Sequence, residues 1–456
     1  VSRPFHVTLI HPCVGRRAGD RRYMATWKME PLPAAALAAL LPPDVERRFF
    51  DDRLEPIDYD LPTDLVAISV ETYTAKRAYQ IASAYRRRGV PVVMGGYHAT
   101  LCSAEVERFV ESVVIGEAEA CFPLLLDDYR SGRPKKVYRA TSRPDPSTIV
   151  PDRSIFAGKR YLPIRLIEFA RGCRYHCDFC AVQSFHRATQ THRRIDQVVA
   201  ELATIRRFGQ LVFFIDDNLA SDLGAAKELM RALIPLGIRW VSQASIDIAF
   251  DDEALELMRR SGCQGVLVGF ESLDGPTLRQ MAKGFNAMRG GAPAALERFR
   301  RHRLRIYGTF VFGYDHDTVE TFDRTLDFAT DQGLFIAAFN HITPFPGTPL
   351  YQRLADQQRL LMEPWWLDDD YRYGMVPFRP NQLDADELAD LCLAARRRFY
   401  SWRCIAQRLR RRVNHRDPWM AAYFLATNAL HHIDIGGRHG LPLGDASEPG
   451  PLLEAS

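Results

Sequence analysis

The sequence predicts an α/β protein with a doubly wound N-terminal domain, a partial (β/α)6 barrel of the TIM type and a helical C-terminal region. Three observations carry this prediction. Short apolar runs alternate with amphipathic helical stretches in two separate series, one before residue 135 and one after residue 160. The runs are apolar throughout, as in parallel strands covered on both faces. Each gap in the second series holds one amphipathic helix plus loops, which is the spacing that right-handed crossovers require.

In the first series, "HVTLIHP", "ERRFFDD", "DLVAISV", "PVVMGG" and "SVVIGE" read as strands, with helices such as 75–89 between them. Residues 1–135 therefore form one five-stranded Rossmann-like domain. Residues 136–160 are rich in proline, charge and hydroxyls, carry no amphipathic period, and read as a linker. The second series, over 161–351, comprises "RLIEFARG", "QLVFFIDDN", "RWVSQAS", "GVLVGFES", "RIYGTFVFG" and "FIAAFNHITP". Six such units curl into a partial barrel whose chemistry belongs at the carboxyl ends of its strands. From 352 to 456 the pattern is helical and aromatic, with "EPWWLDDDYRYG", a basic stretch over 396–416, and residues 442–456 reading as a frayed tail.

Composition narrows the function. With 456 residues, 46% of them hydrophobic, the chain can bury more than one core, and a net charge of +4 is too small to imply a nucleic-acid partner. No apolar run reaches the ~18 residues of a membrane span, and "VSRPFHVTLIHP" lacks a signal-peptide layout, so a cytoplasmic enzyme is expected. Nine cysteines, an odd number scattered through a long chain, do not form a disulfide framework. Six of them (Cys13, Cys102, Cys121, Cys263, Cys392 and Cys404) read as small buried hydrophobes.

The other three cluster in "EFARGCRYHCDFCAV", where Cys173, Cys177 and Cys180 follow the first barrel strand. Zinc wants four ligands, usually as two separated pairs; here there is one triplet, which His176 or His186 could complete. A ferredoxin cluster wants a fourth cysteine shortly after the third, and there is none. Three thiolates on one loop can instead hold three irons of a [4Fe-4S] cube and leave the fourth iron open to a small molecule.

This C-x3-C-x2-C spacing, placed after the first strand of a partial barrel, resembles the radical S-adenosylmethionine (radical SAM) enzymes. The doubly wound domain ahead of it resembles the B12-binding-type domain of their cobalamin-binding-domain class. The resemblance implies a [4Fe-4S] cluster on the three cysteines and S-adenosylmethionine chelating the open iron. It also implies one-electron cleavage to a 5'-deoxyadenosyl radical that takes hydrogen from the substrate, the cofactor carrying the hard chemistry. By the same resemblance Phe179 lies near adenine, and Asp217 and Asn218 meet the amino group of S-adenosylmethionine unless they simply cap a loop. Glu271 and Ser272 contact ribose or carboxylate, and Lys283 pairs with the carboxylate. The glycines of "GTFVFGYD" and "NHITPFPGTPLY" allow close approach to adenine or serve helix packing. An external one-electron donor, a flavodoxin or ferredoxin, is implied because the chain has no flavin or nicotinamide motif.

Cobalamin is a separate question. "GGYHAT" and "VVIGEAE" match the class at strand ends, and Gly95 and Gly96 permit either close approach of a cobalamin tail or a tight turn. The D-x-H-x-x-G motif for histidine ligation is absent, since His11 and Gly15 in "LIHPCVGRR" are one residue too far apart and no aspartate precedes them. Glu71, Tyr73, Glu117 and Glu119 are alternatives for lining a substrate cavity.

Two reactions stay open on these residues. One is cobalamin-assisted methylation of an unactivated carbon in a small natural-product-type or lipid-like substrate. The other is a cobalamin-free dehydration or rearrangement, resembling aminoglycoside deoxygenases, with Asp247, Asp216, Tyr307, Tyr314 and His341 as candidate proton donors and acceptors. RNA modification fits less well: nothing after residue 352 reads as strands, and the arginines of 396–416 read as a solvated or interdomain face. "EPWWLDDDYRYGMVPFRP" is expected to close the barrel mouth against water.

Overall fold

In a computed structural model, which describes residues 3–20, 28–205, 210–416, 418–448 and 450–454, the chain forms two compact units. The first comprises Val1–Leu162, Met362–Tyr373 and Gly440–Ser456, and the second Pro163–Leu361 and Gly374–His439.

The first unit holds a parallel sheet of β1 (Phe5–His11), β2 (Val45–Asp51), β3 (Leu65–Ser69), β4 (Val92–Gly95), β5 (Ser112–Ile115) and β6 (Val137–Arg139), in the order β2-β1-β3-β4-β5-β6. Five of these strands are the apolar runs of the sequence. The reversal between β1 and β3 is a topological switch point, where doubly wound sheets open a crevice at the strands' carboxyl ends.

The sixth strand corrects the linker reading. Val137–Arg139 pairs with Val113–Ile115, and the buried Tyr138 donates its hydroxyl to Asp128 at 2.9 Å. The rest of the stretch is anchored too: Arg47 donates to Asp152 at 2.7 Å, and Phe156 sits edge-on to Phe49 at 5.7 Å. A three-residue edge strand is too short to show a period, so nothing in its composition announced it.

The C-terminal region also differs from the expected single helical block with a frayed tail. Gly444–Asp445 pairs in parallel with Gly15–Arg16, and the Leu453 N–H donates to Ser83 Oγ at 2.8 Å. The first is a backbone pairing and the second a bond from a backbone N–H to a hydroxyl, and no periodic side-chain pattern encodes either. Of the stretch expected to close the barrel mouth, residues 363–380, the part up to Tyr373 is built into the first unit and the part from Gly374 into the second. Trp366 Nε1 donates to both Glu105 oxygens at 3.0 Å, Tyr79 donates to the same carboxylate at 2.7 Å, and Trp365 lies 5.1 Å from Tyr73. A buried indole needs an acceptor, and Glu105 supplies one there.

In the second unit, β7 (Ile164–Ile167), β8 (Leu211–Phe214), β9 (Arg239–Ala244), β10 (Cys263–Glu271), β11 (Arg305–Phe312) and β12 (Ile336–His341) are parallel and adjacent in chain order. This is the sheet of the expected partial barrel. Asp222 and Asp251 begin the intervening helices Leu223–Leu233 and Asp252–Arg260, each accepting a backbone N–H three residues on. Strand alternation then sorts the faces. Phe270, Phe310 and Phe339 stack across β10, β11 and β12 at 5.8 and 5.7 Å on the helix-covered face. Gly269, Glu271 and Thr309 point the other way, into the barrel.

Helices α1 (Ala385–Phe399), α2 (Trp402–Leu409) and α3 (Pro418–Asp434) complete the unit. Tyr400 covers the edge strand β12, donating to the Ala337 carbonyl at 2.8 Å and accepting from its N–H at 3.2 Å. The fully buried Arg408 joins the helices to the barrel. It donates to the carbonyls of Leu334, Phe335 and Phe399 and to Asn428 Oδ1, and its guanidinium lies 3.7 Å from the Phe399 ring centre. Burial among neutral partners pulls its pKa down to about 10.

Candidate active site

After β7 the chain does not continue as strand to residue 172. Ala170–Gly172 turns away and pairs antiparallel with Gln190–His192, so the segment 173–189 is a loop held at both ends by a two-stranded ribbon. Gly172, at φ +92°, could not carry a side chain there, because a Cβ would collide with the Thr189 carbonyl. Cys173 leaves this ribbon. The Cys180 N–H donates to the Cys177 carbonyl at 3.2 Å, and Cys180 opens helix Ala181–His186.

The thiols influence one another. Burial pushes Cys177 up to about 12; the Lys283 ammonium draws it down, while the Cys180 and Cys173 sulfurs add to the rise. Burial also raises Cys180, against the pull of the Gln183 and Val182 N–H groups aimed at its sulfur. Asn218 Nδ2 donates to Cys173 Sγ at 3.3 Å.

Several side chains hold the loop in place. Asp178, buried between Cys177 and Phe179, accepts from the Tyr314 hydroxyl and from Arg353 Nη1, both at 2.6 Å. Its backbone N–H donates to the Met281 carbonyl at 3.2 Å. The next anchor is Asp247, which accepts from Arg174 at 2.9 Å and from Tyr175 at 2.7 Å, and Tyr175 stacks on Phe285 at 4.1 Å. Asp217 accepts the Gly172 N–H at 2.7 Å, and Asn218 Oδ1 accepts from Ala220 and Ser245 N–H at 3.1 and 2.9 Å.

Beside the loop lies a buried ion pair. Lys283 Nζ stands 2.6 Å from Glu271 Oε1 and also donates to the Gly269 carbonyl at 3.1 Å. Glu271 sits at φ +63°, where the register between β10 and β11 shifts by one residue. A non-glycine residue with positive φ marks a backbone held there by its surroundings. Asn286 holds the same bulge through the carbonyls of Gly269 and Phe270, and Thr309 reaches Glu271 Oε2 at 3.3 Å. Burial alone would depress Lys283; Glu271 and the sulfurs of Cys177 and Cys180 outweigh it, so its pKa is raised. An ammonium, a carboxylate and the cysteine loop therefore share one end of the barrel.

The sequence candidates divide accordingly. Cys173, Cys177, Cys180, Asn218, Glu271 and Lys283 come together at the strands' carboxyl ends, and Phe179 packs half-buried against the barrel core. The Ser272 hydroxyl accepts the Asp274 N–H at 3.0 Å. Asp247 and Tyr314, offered as proton donors, serve as loop anchors.

His341 lies on the helix-facing side of β12. Its Nδ1 meets the Ile342 carbonyl at 3.1 Å, and burial, reinforced by Arg396 and His439, pulls its pKa down to about 4. Tyr307 shares the inward face of β11 with Thr309 but lies nearer the strand's start, and burial raises its hydroxyl. Asp216 is fully buried, accepts the Phe169 N–H at 2.8 Å, and is pushed by burial up to about 8.

In the first unit, Gly96 is required locally: at φ +97° a Cβ would press within 3.0 Å of Ser69 and Val70. Gly95 has no such need, since a Cβ there meets only Val114 at 3.4 Å. Gly15 is occupied by the Gly444 strand. His11 ends β1 with its pKa pulled down to about 4 by burial and by Arg53. Glu117 is spent on Arg143 at 2.9 Å, and Tyr73 packs against Trp365 and Tyr373. Glu71 is exposed, two residues after β3; Glu119 lies in the short turn Ala118–Ala120 after β5.

Sequence reasoning missed Asp178, Arg353, Asn286, Thr309 and Gly269. Only Asp178 carried a local signal, a carboxylate inside the cysteine triplet. The others act through partners 14 to 175 positions away in the chain.

The donor set fits a cluster with one open iron. Cys263, the next cysteine in the chain, lies at the start of β10, eight residues before Glu271. At ~3.3 Å per residue that is ~26 Å from the site end, so it cannot serve as fourth ligand. Among the described residues, no three cysteine, histidine or acidic side chains are already gathered around a point that could hold an ion. The fit rests on the type and placement of the thiols.

Comparison with known proteins agrees with this geometry. The radical SAM superfamily model matches residues 167–329. Bacteriochlorophyllide d C-12(1)-methyltransferase of Chlorobaculum tepidum is 31% identical over 390 residues, covering 83% of this chain and 84% of that protein. The fold is similar to the cobalamin-dependent S-adenosylmethionine radical enzyme OxsB with aqua-cobalamin bound, at TM-score 0.66 and 15% identity over 94% of this chain and 72% of the other. It is also similar to the radical S-adenosylmethionine methyltransferase TsrM of Kitasatospora setae with cobalamin and a [4Fe-4S] cluster, at TM-score 0.63 and 18% identity over 78% and 75%.

Proposed function

This chain belongs to the radical SAM superfamily, and on that premise we propose that it is a cobalamin-dependent methyltransferase acting on an unactivated carbon of a small natural-product-type substrate. The observation that carries the reading is the loop of three thiols at the carboxyl end of β7, with no fourth cysteine on that loop and a buried ammonium–carboxylate pair beside it. A methyltransferase relative spanning most of the chain and a doubly wound first unit support the methyl-transfer branch.

When bound, the [4Fe-4S] cluster and S-adenosylmethionine supply a hydrogen-abstracting radical, and cobalamin a transferable methyl group. The chain's own residues bind and orient. Cys173, Cys177 and Cys180 would hold the cluster. Asn218 steadies the first of them, and Asp178 fixes the loop between the other two. Lys283 and Glu271 offer a cation and an anion to a zwitterionic amino-acid moiety. Tyr175, within the loop, is held by stacking on Phe285. In the first unit Gly95, which packing does not require, and Glu71 stand at strand ends on either side of Gly96, where cobalamin or substrate would approach. A flavodoxin or ferredoxin of the cytoplasm would supply the electron.

The test is anoxic reconstitution with iron, sulfide and hydroxocobalamin, followed by desalting and a visible spectrum. Both cluster and corrin absorption are expected to persist. Under reducing conditions, methyl-labelled S-adenosylmethionine should then label the corrin, and 5'-deoxyadenosine should form. Cys177→Ala should abolish the cluster absorption and deoxyadenosine formation while corrin is retained. Loss of all corrin on desalting from the wild-type protein would remove the methyl-transfer reading.

A further inference from the structure

The basic stretch 396–416 and the helix after it are not used by the site. Over residues 391–433 there are nine arginines and a single acidic residue, Asp417. Arg396, Arg398, Arg408 and Arg411 are committed to carbonyls or carboxylates of the barrel and its helices. Arg403, Arg410, Arg412 and Arg416 are exposed.

Helix α3 buries Met420, Phe424, Thr427 and Asn428 and turns its other side outward. From Pro418 to Ile433 it carries no acidic, lysine or arginine residue. Trp419, Ala422, Ala426, Leu430 and Ile433 recur at intervals of three and four and form one outward stripe. Trp419 is 48% exposed, Leu430 43% and Ile433 74%. Trp402 of α2, 57% exposed, adjoins the end of this stripe through His432 at 5.3 Å. Of thirteen exposed large apolar side chains among the described residues, five fall on this helix pair. Such clustering marks an interaction surface.

We infer that the outward face of α2 and α3 docks on an anionic phospholipid surface, the apolar stripe entering the interface and the surrounding arginines meeting the head groups. Charge complementarity selects this occupant. A second copy placed across a two-fold axis would set the arginine cluster against its own image, since the same patch appears on both sides. Anionic head groups satisfy the arginines, and Trp, Leu and Ile at the centre match the composition of interfacial helices. No helix of the described residues is long and apolar enough to cross a membrane, so the contact is peripheral. It would set the barrel beside substrates that partition into lipid.

The experiment is co-sedimentation of the full-length protein with vesicles of phosphatidylcholine alone and of phosphatidylcholine with phosphatidylglycerol, at low and high salt. Binding to the anionic vesicles is expected to be at least about tenfold stronger and to weaken with salt. Leu430→Asp with Ile433→Asp should lower it at least about tenfold. Arg403→Gln, Arg410→Gln and Arg412→Gln together should remove the preference for anionic lipid. All of these residues are exposed, and circular dichroism checks that the variants fold. Independently, brominated lipid should quench tryptophan fluorescence, and Trp419→Phe should reduce the quenching. Absence of binding to anionic vesicles, or binding that both sets of variants leave unchanged, overturns the inference. So does a dimer in light scattering that Leu430→Asp with Ile433→Asp dissolves while vesicles bind neither form.

Discussion

Asp178 accepts the Tyr314 hydroxyl on one oxygen and the Arg353 guanidinium on the other, both at 2.6 Å, and so ties the centre of the cysteine loop to the end of β11 and to helix Pro349–Asp356. Asp178→Ala breaks both bonds and strands the Tyr314 hydroxyl. A loss of about 3 kcal/mol in stability is expected, with Tyr314→Phe costing about half of that. Iron and sulfide bound per chain after anoxic reconstitution should fall in Asp178→Ala even where denaturation shows the variant folded.

Gly269 leaves room for the Lys283–Glu271 pair. A Cβ there would collide with Glu271 Oε1 and lie 2.7 Å from Lys283 Nζ. Gly269→Ala should displace the pair at a cost of about 1–3 kcal/mol. Its dissociation constant for S-adenosylmethionine, measured by equilibrium dialysis, is expected to rise about tenfold or more, while the cluster spectrum is unchanged.

Asp216 gives the stability a definite pH dependence. Burial raises its folded value to about 8 from an ordinary 3.8, so between these values the folded state binds the proton and the unfolded state does not. Stability therefore falls as pH rises through this window, by at most roughly 1.4 kcal/mol per unit, and levels off above it. Asp216→Asn keeps an acceptor for the Phe169 N–H and cannot ionise. Urea denaturation from pH 5 to 8.5 should show a flatter profile for the variant than for the wild type.

Glu105 behaves in the opposite sense. Burial alone would raise it, yet bonds from His98, Tyr79 and Trp366 hold it below the ordinary glutamate range. Its contribution is thus present above the unfolded value and is lost as pH falls through the folded one. Glu105→Gln should loosen Met362–Tyr373 at neutral pH by about 1–3 kcal/mol. Limited proteolysis is the measure, with faster cleavage in that segment expected.

The strands of both sheets were legible because parallel strands buried on both faces are apolar runs that stand out against helical periods. The cysteine triplet was legible because all three ligands lie on one loop. Val137–Arg139, by contrast, is three residues long, and the contact of Gly444–Asp445 with Gly15–Arg16 is made by backbone, so neither left a pattern of side chains. The proton-transfer candidates show a further limit: Asp247 and Tyr314 are candidates by their chemistry, but Asp247 Oδ2 and the Tyr314 hydroxyl are engaged in holding the loop.

Read alone, the amino-acid order determined the two α/β series, the three-thiol loop and the chemistry it implies, because each is written within a few neighbouring residues. Only the tertiary structure decided that Lys283 meets Glu271 beside that loop, that Asp178 is its keystone, and that Trp365 and Trp366 belong to the first unit. Those pairings join residues 12 to 292 positions apart. Buried charges and indoles take whichever partner the fold brings within hydrogen-bonding distance, and no local pattern specifies which one that will be.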